Sequence, residues 1–220
     1  MTTAHSQLMD RIYRYQRFFY DATRIFFLPG RDALIGAIEG TPGMTILEMG
    51  CGTARNLIKL ARRLPEARFF GVDISAEMLR TATRKIQTAA LTHRITVANS
   101  PAEKVDYAAT FGRDAPFDAV VFSYSLSMMP DIEEAVQAAR RNVTPEGALF
   151  AVDFWDAGGW PTPFQSLLAN WLALFHVRFD NTIHDAIRRS FPETEIRAVK
   201  GRYAFIAAPK GARTDATKTG

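Results

Sequence analysis

Between residues 45 and 153, short apolar runs alternate with stretches whose apolar residues recur at helical spacing. TILEM (45–49) is followed by ARNLIKLARRL, RFFGVDI by AEMLRTATRKIQTAA, and FDAVVFS (117–123) by DIEEAVQAARRNV, with ITVA and ALFAVDF (148–154) at similar intervals. Apolar runs with little alternation suit parallel strands covered on both faces. The alternation of the two patterns predicts βαβ units and a Rossmann-like, doubly wound α/β sheet of five parallel strands. The end of the chain differs. TEIRAV and YAFIAA are separated only by KGR, too short for a helical crossover, and therefore form an antiparallel hairpin. The outline is a single domain over 1–208, with an N-terminal helical cap over 1–40 and an insertion at 161–190 between the fifth strand and the hairpin. The small, polar, basic stretch 209–220 reads as a disordered tail.

The chain's 220 residues, 47% of them hydrophobic, suffice for one core. A lone cysteine cannot close an intramolecular disulfide, which favours a reducing compartment. The N-terminus lacks the apolar block of a secretory signal. The longest apolar stretch, LLANWLALF, falls far short of the roughly 20 residues a spanning helix needs. The expectation is a cytoplasmic protein, soluble or peripheral on the inner membrane face. A net charge of +4 admits anionic partners, either nucleic acid or an anionic lipid surface, and equally a mildly basic soluble enzyme.

TILEMGCGTARNL carries the candidate chemistry. Gly50 and Gly52 stand at the carboxyl end of the first strand, where open α/β sheets bind ligands. A phosphate loop would need GxxxxGK[ST], and none is present. A dinucleotide fingerprint would need a third glycine where Arg55 stands. Asp73, ending the second strand, suits a ribose and serves NAD or S-adenosylmethionine alike.

In this combination the chain resembles the class I S-adenosylmethionine-dependent methyltransferases across residues 45–153, and the hairpin extends the match to their seven-stranded fold. The resemblance implies that Glu48, Gly50, Cys51, Gly52, Thr53 and Asn56 shape the cofactor turn, with Ala54 at a position usually held by a small residue. It implies further that Asp73 binds the ribose, that Ile74 and Met78 lie over the adenine, and that Ser123 and Tyr124 flank the methionine moiety. The third segment departs from the family pattern. Ser100-Pro101-Ala102-Glu103 replaces the usual Gly-Asp-Ala, leaving Ser100 or a backbone carbonyl to receive the adenine amine.

Methyl transfer is an in-line displacement, for which the protein aligns nucleophile and methyl and excludes water. The [DNS]PP[YF] string of nucleobase methylation is absent after the fourth strand, where Ser-Tyr-Ser-Leu stands. In residues 6–27, which read as a helix, Arg11, Arg14, Arg17 and Arg24 interleave with seven aromatic residues. Such a helix can cap the cofactor pocket, lie in a membrane interface, or bind nucleic acid. RIYRYQRFFYDATR, the following GRD, and DFWDAGGWP (153–161) together resemble the bacterial betaine-lipid N-methyltransferases, which convert diacylglyceryl homoserine to its trimethylated form. This narrower resemblance implies that Tyr20 and Arg31 close over the cofactor, Arg31 pairing with its methionine carboxylate.

Asp153, Trp155, Asp156 and Trp160 gather after the fifth strand, where they either cage an ammonium, with Tyr13, Tyr15, Tyr20 and Tyr124, or simply pack. Tyr20, Tyr124 and Asp153 are the candidate catalytic groups. Tyr13, Tyr15, Trp155 and Trp160 are the candidate substrate contacts. His5, His93, His176 and His184 are too scattered for a metal site, so no metal is expected; His176 or His184 serves as the amine's base or as a structural histidine. The leading reading is N-methylation of the homoserine lipid amine at an anionic membrane surface, without nucleic acid. The alternative is a soluble small-molecule N- or O-methyltransferase, and an RNA-binding use of the fold ranks last.

Overall fold

A computed structural model of the chain describes residues 28–156, 158 and 181–214. Its helices are α1 (Arg31–Ala37), α2 (Arg55–Arg63), α3 (Ala76–Thr88), α4 (Tyr107–Phe111), α5 (Ile132–Asn142) and α6 (Thr182–Ser190). The strands are β1 (Thr45–Met49), β2 (Arg68–Asp73), β3 (Ile95–Asn99), β4 (Phe117–Ser123), β5 (Val143–Phe154), β6 (Thr194–Val199) and β7 (Ala204–Pro209). They form one sheet in the order β3-β2-β1-β4-β5-β7-β6. The first five are parallel, and β7 runs antiparallel to both β5 and β6. The expected doubly wound sheet with a closing hairpin is thus the observed one, the class I methyltransferase fold.

Neighbouring positions on β1 serve opposite layers, which is why its sequence shows no alternation. Ile46 packs under α1, α2 and α3 with Leu57, Leu60, Leu79 and Ile86. Leu47 packs under α5 and α6 with Val136, Ala139, Ile183 and Ile187. Local signals fix the helix ends. Ser75 Oγ accepts the Met78 amide and opens α3; Asp131 accepts the Glu134 amide and opens α5. Acidic Glu133 and Glu134 in the first turn of α5, and Arg140 and Arg141 in its last, complement the helix dipole.

The elements depart from the sequence reading in three places. β5 begins at Val143 rather than near Ala148, slipping register against β4 between Phe117 and Ala119. Within the expected insertion, residues 182–190 form α6, which packs on α5. Residues 210–214 continue in close contact with the domain, Ala212 lying against the core and Arg197 donating to Thr214 Oγ1. The expected helix over 6–27 and the LLANWLALF stretch lie outside the described residues. Among the described residues no helix is long and apolar enough to cross a membrane.

Candidate functional site

At the carboxyl end of the sheet, β1 lies between β2 and β4, and the chain reverses its direction of winding there. This is the switch point at which such sheets hold ligands. The amides of Gly50 and Cys51 both donate to Val72 O, at 2.8 and 2.9 Å, wrapping the turn over the end of β2. The two glycines have different reasons to be glycine. At Gly50 (φ +81°) a Cβ would stand 2.5 Å from Ser125 Cβ, so this position is closed by the β4 tip. At Gly52 (φ +53°) a Cβ would meet nothing within 4 Å: the space beside it belongs to a cleft.

That cleft has a cavity volume of about 90 Å³ and opens to solvent. Gly50, Gly52, Asp73, Ile74, Met78 and Ser100 line one part of it, and Pro101, Ala102, Ser123 and Tyr124 another. Ten of the cofactor and catalytic candidates are therefore brought to one cleft. Asp73 is held by the Gly52 amide on Oδ2 (2.8 Å) and the Ser75 amide on Oδ1 (2.9 Å). Asn99 Nδ2 donates to the carbonyls of Asp73 and Ile74 and fixes the bend that follows β2. Ser100 Oγ donates to Pro101 O. Ser123 Oγ is buried without a hydrogen-bond partner among the described residues, an acceptor and donor left for a ligand. An open-sided glycine, an oriented carboxylate and this orphaned hydroxyl fit an S-adenosylmethionine with its ribose on Asp73.

Other candidates from the turn face away from the cleft. Cys51 is buried, its Sγ turned to Gly71, where a Cβ would lie 2.8 Å from it. Burial, then the charges of Asp73 and Glu48, push its thiol well above the usual range. Glu48 and Asn56 are almost fully buried and joined by Asn56 Nδ2 donating to Glu48 Oε1 at 2.7 Å. Arg31 Nη2 in turn donates to Asn56 Oδ1 at 3.2 Å. This chain of bonds ties α1 to the turn from behind. Thr53 Oγ1 accepts from Lys85 Nζ at 3.0 Å.

Two of the three catalytic candidates, Tyr124 and Asp153, are committed to backbone. Tyr124, in a left-handed conformation (φ 55°), donates its hydroxyl to Pro29 O at 2.6 Å, and its ring packs edge-on against Phe154. Burial, then Asp153 and Tyr203, hold its phenol well above pH 10. Asp153 is fully buried and accepts the amides of Ser127 (3.1 Å) and Phe154 (2.8 Å). Burial raises its carboxyl to about 6 against the pull of those amides. Neither group is placed to take a proton from a substrate: Tyr124 anchors the chain at Pro29, and Asp153 shapes the loop after β4.

Trp155 is likewise engaged. Its Nε1 donates to Asn181 Oδ1, its ring meets His184 at 4.3 Å, and the Arg202 guanidinium lies 4.9 Å from its centroid. Arg202 is ion-paired with Asp156. The ring face expected to receive a substrate cation thus already carries an arginine. His184, buried between Trp155 and Phe205, has its pKa lowered to about 4, first by desolvation and then by Arg188. Tyr13, Tyr15, Tyr20 and Trp160 lie outside the described residues. Among the described residues no group of three His, Cys, Asp or Glu is arranged to hold a metal ion.

The sequence reading gave no role to Glu103, Ser125, Met128, Met129 and Pro130, which complete the cleft wall. The signal available for them was position alone, in the loops immediately after β3 and β4.

Residues 46–147 match the family described as a methyltransferase domain. The chain is 29% identical over 124 residues to a demethylmenaquinone methyltransferase of Desulfitobacterium hafniense (strain Y51), covering 56% of this chain and 47% of that protein. It is 30% identical over 167 residues to the malonyl-[acyl-carrier protein] O-methyltransferase of Geobacter sulfurreducens, covering 76% and 57% respectively. The chain thus spans about half the length of the curated relatives it matches. A solved phosphoethanolamine N-methyltransferase 2 of Haemonchus contortus, in complex with phosphomonomethylethanolamine and S-adenosylhomocysteine, superposes with a TM-score of 0.74. Its identity is 17%, over 91% of this chain and 48% of that one, so the likeness is one of fold.

Proposed function

The chain carries a class I S-adenosylmethionine-dependent methyltransferase domain, and from that premise we propose that it N-methylates the head-group amine of an amphiphile, diacylglyceryl homoserine. The observation that carries methyl transfer is the cleft, with the Asp73 carboxylate held towards the open side of Gly52. S-adenosylmethionine supplies the electrophilic methyl when bound. Asp73 receives the ribose, and Ser123 Oγ offers a hydrogen bond to the amino-acid end. Ile74 and Met78 face the adenine.

Two features support an amine on an apolar carrier. The cleft's carboxylates, Asp73 and Glu103, complement a positive sulfonium and an ammonium product. Met128, Met129 and Pro130 give it a soft apolar wall, suited to an aliphatic chain. An amine would need only to shed its proton to present its lone pair to the methyl that the bound cofactor would supply. Tyr20 or bulk water takes that proton in each of three rounds, and the last product keeps its charge.

A second reading, methylation of a quinol or another small molecule at oxygen or carbon, is favoured by the names of the relatives above. The experiment offers purified protein labelled S-adenosylmethionine with three acceptors: the homoserine lipid, a demethylated quinol, and water-soluble amines. Mass spectrometry then locates the label. Label in the lipid as mono-, di- and trimethyl forms supports the leading reading; label only in the quinol or soluble amines sinks it.

A further inference from the structure

Outside the cleft, charge is concentrated on the face built by α1, α2 and α3. α2 and α3 together carry seven Lys or Arg and one acid, Glu77, a net +6 on two helices in a chain whose total is +4. On the opposite face α5 balances Glu133 and Glu134 against Arg140 and Arg141. Some cations of the basic face have local duties. Arg63 donates to the carbonyls of Ile35, Gly36 and Ile38 at the end of α1, and Arg80 pairs with Glu77.

Others line a groove of about 590 Å³ between α2 and α3: Arg55, Lys59 and Arg62 from α2, Arg84 and Lys85 from α3, with Ile58 among them. Asp32, at the rim, pairs with Arg55 and Lys59 and offsets part of this charge. Arg62 and Arg84 are exposed, and both line the groove. Among the described residues its lining contains no aromatic ring on which a base would stack. Guanidinium groups matched to tetrahedral oxyanions, on stems that can lie over Ile58, suit lipid phosphates. The groove also adjoins the cleft, because Lys85 bonds Thr53, the neighbour of Gly52.

The geometry points to this groove as a seat for the phosphates of an anionic phospholipid surface, docking the chain with its cleft beside the bilayer. This assignment rests on the lipid reading of the substrate, since only a membrane-borne amine needs the cleft to sit there. The test uses the full chain with vesicles of equal parts phosphatidylcholine and phosphatidylglycerol, and with pure phosphatidylcholine. The wild type binds the anionic vesicles in a salt-sensitive manner. Arg62→Gln/Arg84→Gln binds them about 25-fold more weakly, about fivefold for each charge removed, with unchanged S-adenosylmethionine affinity.

Equal vesicle binding by the double variant overturns the proposal. So does binding by the wild type to an RNA duplex but not to vesicles, lost with the same two arginines. Failure of the substrate reading is distinguishable. Vesicle binding that depends on both arginines, with label found only in water-soluble amines, upholds docking and removes the lipid substrate. Lipid methylation that persists without such dependence removes docking alone.

Discussion

Gly50→Ala and Gly52→Ala separate the two demands made on the turn. At Gly50 the new methyl meets Ser125 Cβ at 2.5 Å and Oγ at 3.0 Å, with φ at +81°. Holding an alanine in the left-handed region costs about 1–2 kcal/mol. Relieving the contact moves Ser125, whose hydroxyl donates to Met49 O at 2.9 Å. Losing that bond and stranding a buried carbonyl costs about 1–3 kcal/mol more. The expected loss is therefore about 2–5 kcal/mol, a large share of the 5–15 kcal/mol typical of a domain.

At Gly52 the methyl enters open space, so only the backbone cost of about 1–2 kcal/mol remains. Since Gly52 lines the cleft, that methyl instead displaces ligand. Urea unfolding reads stability and calorimetry reads S-adenosylmethionine affinity. The expected pattern is a much lower unfolding midpoint for Gly50→Ala, and near-normal stability with weakened binding for Gly52→Ala. Adding Ser125→Gly to Gly50→Ala removes the clashing Cβ and restores part of the loss, a coupling of at least about 1 kcal/mol. Equal stabilities for the two alanine variants, or no coupling with Ser125, would refute the division of roles.

Three further perturbations test the same region. Asp73→Ala removes the ribose acceptor and lowers S-adenosylmethionine affinity by about 1.5–3 kcal/mol, read by calorimetry; unchanged affinity sinks the assignment. Tyr124→Phe deletes the bond to Pro29 O, lowering stability by about 1 kcal/mol, while the pH–rate profile between pH 7 and 9 keeps its shape because the phenol does not ionise there. A lost alkaline limb in that profile would make Tyr124 a base after all. Asp153 and His184 give opposing pH dependences. The native Asp153 carboxyl, near 6 against 3.8 unfolded, retains a proton the unfolded chain has released, so stability falls by about 3 kcal/mol as pH rises from 3.8 to 6. His184, near 4 against 6.5, makes stability fall by a similar amount, about 3 kcal/mol, as pH drops from 6.5 to 4. Urea midpoints across pH 4–7 should therefore rise with pH in Asp153→Asn and decline with pH in His184→Gln; flat profiles in both would overturn the burial argument.

The sheet was legible because buried parallel strands leave unbroken apolar runs and their helices leave a 3.6-residue period. The KGR spacing dictated the hairpin on length alone. β5 shows where such reading stops. Thr144-Pro145-Glu146-Gly147 has the composition of a loop, yet the strand runs through it by means of a bulge against β4. Gly147 permits this, since a Cβ there would stand 2.5 Å from Val143 Cγ2 and 2.8 Å from Asp118 O. Nothing local in the sequence announces a contact between strands.

The cleft shows the same limit at the scale of side chains. A motif names the turn, but successive turn residues project in different directions, and only the packed neighbours decide which face the ligand. Gly52 and Asp73 look outward. Glu48, Cys51 and Asn56, within the same nine residues, are consumed by α1, β2 and α2. Those inward contacts are what make the outward ones usable. Arg31 through Asn56 to Glu48 fastens α1 behind the turn, and Tyr124 fastens Pro29 above the tip of β4. Residues 29–31 are therefore held beside the cleft by bonds to the same segments that carry Gly52 and Ser123.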